Sequence, residues 1–176
     1  GDQQETYDQV LAAFDYSEQV GLPVIVRMVT RLCHSRSNVV LREMPEGQEQ
    51  ATLPRPDPND WVLVPSNARR RYRRLLDLQG RLLADSEQSP FNRMHLAGEQ
   101  GVISAGLAGN YVAEALGGSR TESLLHIGRY PLPVKMIREF VDHCTDILVC
   151  EDGYPFIEGK LTGLMGVPGK VIRGRL

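Results

Sequence analysis

The chain has 176 residues, 41% hydrophobic and 24% charged, and a formal net charge of -2. That suits a soluble domain with one good core, and it gives no global pull towards nucleic acid or an anionic membrane. Cys33, Cys144 and Cys150 form no C-x-x-C pair, which excludes a disulfide scaffold or legible zinc site and fits reduced cytoplasmic thiols.

No signal peptide and no apolar run of about 18 residues is present, so neither secretion nor membrane spanning is expected. Residue 1 is Gly and a helical pattern starts almost at once, so the chain is expected to be an internal piece of a longer polypeptide.

Asp2 with Glu5 has the form of a capping box, and Tyr7, Val10, Leu11, Phe14 and Ser17 then share one helix face up to Gly21. The β-branched, apolar run Pro23 to Val29 predicts a strand wanting cover on both sides. Residues 1–45 read as the closing αβ unit of a preceding α/β domain, or as an addition to the edge of the main sheet. At the carboxyl end of that strand Thr30, Arg31, Cys33, His34, Ser35 and Arg36 make a candidate site or a solvated loop.

From Glu43 to Asp60, Pro45, Pro54, Pro56 and Pro58 predict a semi-rigid linker, and Trp61 to Val64 is where it is expected to dock. A helix capped by Ser66 or Asn67 follows, with Tyr72, Leu75, Leu76, Gln79, Leu82 and Leu83 as its buried stripe. Arg69, Arg70, Arg71, Arg73 and Arg74 crowd its first two turns, where the helix dipole disfavours cations. They call for acidic side chains across an interface or for an anionic ligand: phosphate, coenzyme A or nucleic acid. Pro90 to Gly101, with His95, reads as a connection.

Gly101 to Glu151 is the centre of the chain. Apolar runs at 101–106, 123–128 and 146–151 alternate with helical patterns ending at Leu116 and His143. Such runs pair in parallel, because parallel strands are buried on both faces and need crossover helices. The core is therefore an α/β sandwich.

Chemical motifs in it are near misses. Ser104 to Gly109 approximates G-x-G-x-x-G with Ser at the first glycine, and close helix–strand packing explains its glycines as well as a dinucleotide or an anion does. Gly163 to Lys170 has the wrong spacing for a phosphate loop, and Val171 follows the lysine. His126 reads as a core or strand-end histidine, and His143 suits a helix carboxyl end. Glu151 is the carboxylate to watch, as a site group or a loop anchor.

Several stretches in order resemble the α subunit of indolepyruvate ferredoxin oxidoreductases. They are Ala13 to Glu18, Gly21 to Arg27, Thr30 to Arg36, Asn67 to Tyr72, Ser89-Pro90-Phe91-Asn92, Tyr130-Pro131-Leu132-Pro133, and Val149 to Asp152 through Pro155 to Glu158. The resemblance implies an enzyme using thiamine diphosphate that oxidatively decarboxylates aryl 2-oxoacids to acyl-CoA and reduces ferredoxin. It implies a three-layer sandwich with a mainly parallel sheet, like a transketolase carboxy-terminal domain, plus an N-terminal αβ extension.

On that resemblance residues 1–45 close a pyrimidine-binding domain, 46–95 are linker and basic helix, and 96–176 are the transketolase-like domain. The chain has no Gly-Asp-Gly motif for magnesium and diphosphate and no cysteine cluster for iron–sulfur, so no cofactor and no catalytic residue is expected in it. Thiamine diphosphate, magnesium and iron–sulfur clusters are implied for the full enzyme only. Implied partners are the remaining domains, a second oxidoreductase subunit, ferredoxin in the full complex, and a homodimer; nucleic acid and membrane are not. A stand-alone anion-binding module for coenzyme A or another phosphate ligand is the alternative.

Overall fold

The three apolar runs between Gly101 and Glu151 pair in parallel, as their burial demands. The computed structural model of the chain describes residues 1–43, 57–118, 121–163 and 166–175. Its elements are α1 (Gln3–Val20), α2 (Thr30–Cys33), α3 (Pro58–Trp61), α4 (Pro65–Glu87), β1 (Asn92–His95), β2 (Gln100–Ala105) and α5 (Ala108–Leu116). Then follow β3 (Ser123–Ile127), α6 (Val134–His143), β4 (Asp146–Cys150), α7 (Phe156–Thr162) and β5 (Val171–Arg173).

One sheet has the order β1-β3-β2-β4-β5, with β1 antiparallel to β3 and every other pair parallel. The fold is α/β with a mainly parallel sheet. Passing from β2 to β3 and from β3 back across β2 to β4 moves in opposite directions along the sheet. Right-handed crossovers then put α5 and α6 on opposite faces, which makes three layers.

On the α6 face Ile103, Leu125, Ile127, Ile147 and Val149 meet Ile137, Phe140 and Val141 of α6, Cys144, and Ile157 of α7. The register places Ile103 between Leu125 and Val149, so one side of three strands forms a single apolar sheet surface. Helix α4 packs outside α6. The other face is covered less fully, and Leu148 there is 42% exposed.

The sequence reading needs correction at several places. Residues 23–29 form no strand: nothing pairs with them among the described residues, and Ile25 is 88% exposed. The main sheet gains no strand from the first 45 residues. Within the expected connection Pro90 to Gly101 lies β1, paired with β3 from Asn92↔Ile127 to His95↔Leu124, so the sheet begins at 92. Helix α4 starts at Pro65, with Val64 at its cap and no side-chain cap bond. Its apolar stripe is covered only towards the end, since Tyr72 and Leu76 are more than half exposed, and Trp61 to Val64 stay 45–75% exposed beside the start of α4, where Asn67 Nδ2 donates to Val62 O. Pro45, Pro54 and Pro56 of the linker lie outside the described residues.

Gly101 shows how closely α6 approaches the sheet. A Cβ there would lie 2.6 Å from Cys144 Sγ and 2.8 Å from the Phe140 ring, both fully buried. Replacing a strand glycine by alanine ordinarily helps the strand, but here it overpacks the core. Gly101→Ala is expected to lower unfolding free energy by about 1–3 kcal/mol, measured by chemical denaturation; unchanged or increased stability would contradict this packing.

Candidate functional site

Ligands of open α/β sheets bind beyond the carboxyl ends of the strands. In this chain α1 lies across that edge. Asp2 caps it by accepting the Glu5 N–H at 2.8 Å, and Gly21 ends it in the left-handed conformation at φ 64°. The Glu5 side chain does not close a capping box, because it is turned to the sheet instead. Residues 5, 9 and 16 of α1 then touch the ends of the strands in succession.

Glu5 Oε2 accepts from Arg93 Nη2 at 3.0 Å, and Glu5 Oε1 faces His126 Nε2 at 3.7 Å and the Gly1 amine at 3.0 Å. His126 Nδ1 pairs with Ser104 Oγ at 3.1 Å. Burial alone would raise the Glu5 carboxyl, but the facing His126 imidazole and the Gly1 amine, a charge present only while residue 1 is a chain end, outweigh it and together hold it at about 2. Serine, histidine and carboxylate thus stand in line. The order is that of a nucleophile with its base, yet Ser104 is only 5% exposed and is roofed by α5, where a Cβ on Gly109 would lie 2.6 Å from His126 Nδ1. The cluster docks α1 on the sheet, and Gly109 permits close helix–strand packing.

Further along α1, Gln9 Nε2 donates to Gly128 O at 3.3 Å, and the Arg129 guanidinium lies 4.0 Å over the Tyr16 ring. Tyr16 donates its hydroxyl to Asp85 of α4 at 2.9 Å. Between α1, the extended residues 22–27, the end of α4 and the loop after β3 is a cavity of about 340 Å³. Arg27, Arg129 and Tyr130 supply its polar wall; Val20, Leu22 and Phe91 are part of its apolar one. Burial and the negative charge of Glu151 push the Tyr130 hydroxyl above its usual value, with Arg27 opposing.

Asn92 fixes that loop. Its Oδ1 accepts the N–H groups of Gly128 and Arg129, both at 2.9 Å, while Nδ2 donates to Ser86 O, Ser86 Oγ and Arg129 O at 2.9–3.1 Å. The Ser86 hydroxyl in turn donates to Pro131 O at 2.5 Å. A buried loop needs partners for its backbone groups, and one asparagine supplies both kinds.

The residues singled out from the sequence fall elsewhere. Arg70 and Arg71 pair with Asp60 at 3.4 and 3.3 Å, whereas Arg69, Arg73 and Arg74 have no ion pair among the described residues and line an open groove with Ser66 and Asp77. Arg31 donates to Tyr111 Oη at 2.9 Å, and Ser35 accepts from Gln3 at 2.6 Å. Thr30 and His34 are exposed. Glu151 accepts the N–H groups of Ile157 and Glu158 at 2.9 and 3.0 Å, capping α7. Lys170 donates to Asp142 O and Cys144 O at the end of α6, and His143 Nε2 lies 3.1 Å from Ala97 O. No group of three or more His, Cys, Asp or Glu among the described residues is arranged to hold a metal.

No family model matches the chain. The indolepyruvate oxidoreductase subunit IorA of Methanothermobacter thermautotrophicus is 35% identical over 94% of this chain and 27% of its own length. That of Pyrococcus abyssi is 32% identical over 90% of this chain and 26% of its own. The chain is homologous to one segment of the IorA subunit. It spans about a quarter of the length of these curated relatives. A solved 2-oxoglutarate:ferredoxin oxidoreductase from Magnetococcus marinus aligns with 64% of this chain and 21% of its own at a TM-score of 0.43 and 13% identity.

Four of the seven stretches that resemble indolepyruvate oxidoreductases meet at the α1 edge: Tyr16, residues 22–27, Phe91 and Tyr130-Pro131 all line the same cavity, and Asn92, next to Phe91, holds Gly128 and Arg129, the two residues before Tyr130. Sequence reasoning missed Asn92, Arg129 and Tyr16 as site residues. Their one available signal was their place in or beside those motifs.

Asn92→Ala strands several buried backbone groups, each costing about 1–3 kcal/mol. We expect unfolding free energy to fall by more than about 2 kcal/mol, and Asn92→Asp should also fall, because it keeps the one accepting oxygen but sets a second carboxylate oxygen against Ser86 O and Arg129 O. Equal stability of Asn92→Ala and the parent chain would contradict the arrangement.

Glu5 gives a pH signature. An unfolded carboxyl titrates near 4.5 and the folded one at about 2, so its contribution is complete above 4.5 and is lost as pH falls from 4.5 towards 2. Thermal midpoints measured across that window should fall more steeply for the parent chain than for Glu5→Gln. Parallel curves would show that Glu5 contributes nothing.

Proposed function

We propose that this chain is a structural and interface segment of a thiamine-diphosphate-dependent, indolepyruvate-type 2-oxoacid:ferredoxin oxidoreductase, and that it is inactive alone. The parent enzyme is cytoplasmic, converts aryl 2-oxoacids to acyl-CoA, and carries its diphosphate, magnesium and iron–sulfur sites outside the residues considered. In this reading residues 1–45 close a pyrimidine-binding domain, 46–95 hold the linker and the basic helix, and 96–176 form the transketolase-like domain.

The observation that carries the proposal is homology to IorA over 94% of the chain. Exposed apolar surface supports it. Val24, Ile25 and Met28 are exposed in one stretch of the chain, and Trp61 to Val64, Tyr72 and Leu76 are exposed in and before α4. Exposed apolar stretches of this kind mark contact surfaces. The first includes an extended stretch with unpaired backbone, suited to joining a sheet edge. The exposed α2 loop and the arginines of α4 are where acidic groups of other domains or of a second subunit would meet the chain. Among the described residues no helix is long and apolar enough to cross a membrane.

Two measurements test this. The purified chain, given an aryl 2-oxoacid, thiamine diphosphate, magnesium, coenzyme A and a redox dye, should show no turnover, and any turnover abolished by boiling would overturn the proposal. Mixed with the remaining parts of its parent polypeptide, the chain should be retained on an affinity column. Ile25→Glu and Trp61→Ser should weaken that retention at least about tenfold, as loss of a central apolar anchor does. Retention that ignores both changes would remove the interface role.

A further inference from the structure

We infer that the cavity at the carboxyl end of β3 binds a small organic anion, a carboxylate or phosphate on a compact apolar body, with Arg129 as its anchor. This goes beyond the interface reading and does not depend on it.

Arg129 is an unusual cation. Its Nη2 is buried and has no hydrogen-bond partner, and it makes no ion pair among the described residues. Leaving a buried guanidinium nitrogen unpaired is costly, and the group is shaped to take two oxygens of a carboxylate or phosphate at once. The nearby carboxylates are committed elsewhere. Asp85 accepts from Tyr16 and pairs with Arg81 at 3.5 Å, and Glu151 caps α7.

The surroundings hold the guanidinium ready. Its plane sits 4.0 Å from the Tyr16 ring, which Asp85 fixes through the hydroxyl, and its own backbone N–H and C=O are both bonded to Asn92. Arg27 adds a second positive charge on the same wall, and no acidic side chain lines the cavity.

The rest of the lining sets the ligand class. Val20, Leu22, Val24, Leu82 and Phe91 make the wall mostly apolar, and about 340 Å³ is at the small end of ligand pockets, which run to roughly 1,000 Å³. One ring or a short branched chain fits, and a whole coenzyme A does not. This site is separate from the arginine helix, whose Arg69, Arg73 and Arg74 are exposed along an open groove.

Calorimetric titration of the whole chain with phenylacetate, phenyl phosphate, phenylacetamide and inorganic phosphate tests the inference. At least one of the two aromatic anions should saturate at millimolar concentration, and which one does identifies carboxylate or phosphate as the preferred head. The neutral amide should not bind, and inorganic phosphate should bind at least about tenfold more weakly for want of the apolar body. Arg129→Gln should cost at least about tenfold, the scale of one charge-assisted hydrogen bond, while Arg73→Gln should leave binding unchanged. Where circular dichroism shows Arg129→Gln unfolded, Val24→Trp decides, because it fills the cavity with Arg129 intact and should abolish binding. Absence of saturation by both aromatic anions, equal binding of the amide, or full binding by Val24→Trp or by folded Arg129→Gln would each overturn it.

Discussion

The polar contacts of Asn92 are what the candidate edge of this protein depends on. A loop leaving a parallel sheet at its carboxyl end carries backbone groups that neither strand nor helix can satisfy, and burying them under α1 and α4 makes the deficit expensive. Asn92 meets it from the neighbouring antiparallel strand, and Ser86 meets it from the end of α4. Three elements distant in sequence are thereby tied at one point. Without that point the Arg129 side chain would have no fixed origin, and the cavity no floor.

The parallel part of the fold was legible because its signal is local. A strand packed between helices is rich in apolar residues, and Leu124, Leu125 and Ile127 in one run and Ile147, Leu148, Val149 and Cys150 in another supply them. The signal disappears at the sheet edge. In β1 only Met94 is apolar, and an antiparallel edge strand needs cover on one face alone. Composition misled in the opposite direction at Pro23 to Val29. Its β-branched residues suit a strand, but a strand exists only beside another, and no neighbour is described for it.

The candidate site was less legible for a related reason. Arginines were sought where they are dense, on α4, yet density on an exposed helix leaves each cation hydrated and free to pair with residues such as Asp60. Arg129 stands alone in sequence between Gly128 and Tyr130 and looks like a turn residue. Its character comes from burial, from the Tyr16 ring beneath it and from the carboxylates already used around it, none of which spacing encodes. Glu151 is the mirror case. A lone carboxylate at a strand end looked chemical, and the start of α7 claims both of its oxygens.

Pro23 to Arg27 has two roles that constrain each other. Its side chains form one wall of the cavity, and its backbone is the extended stretch with no ladder partner. A partner strand pairing there would set the position of that wall, and a ligand filling the cavity would set the same residues from within. Two binding events that share a wall must be coupled, and the coupling is equal in both directions. Its sign depends on one geometry: whether the pleat that suits a partner strand points Val24 and Val26 into the cavity or out of it. Val24, Ile25 and Val26 all line the cavity although Ile25 is 88% exposed, whereas alternate residues of a paired strand point to opposite faces, so a partner strand pairing here would have to turn one set of these side chains away from the cavity.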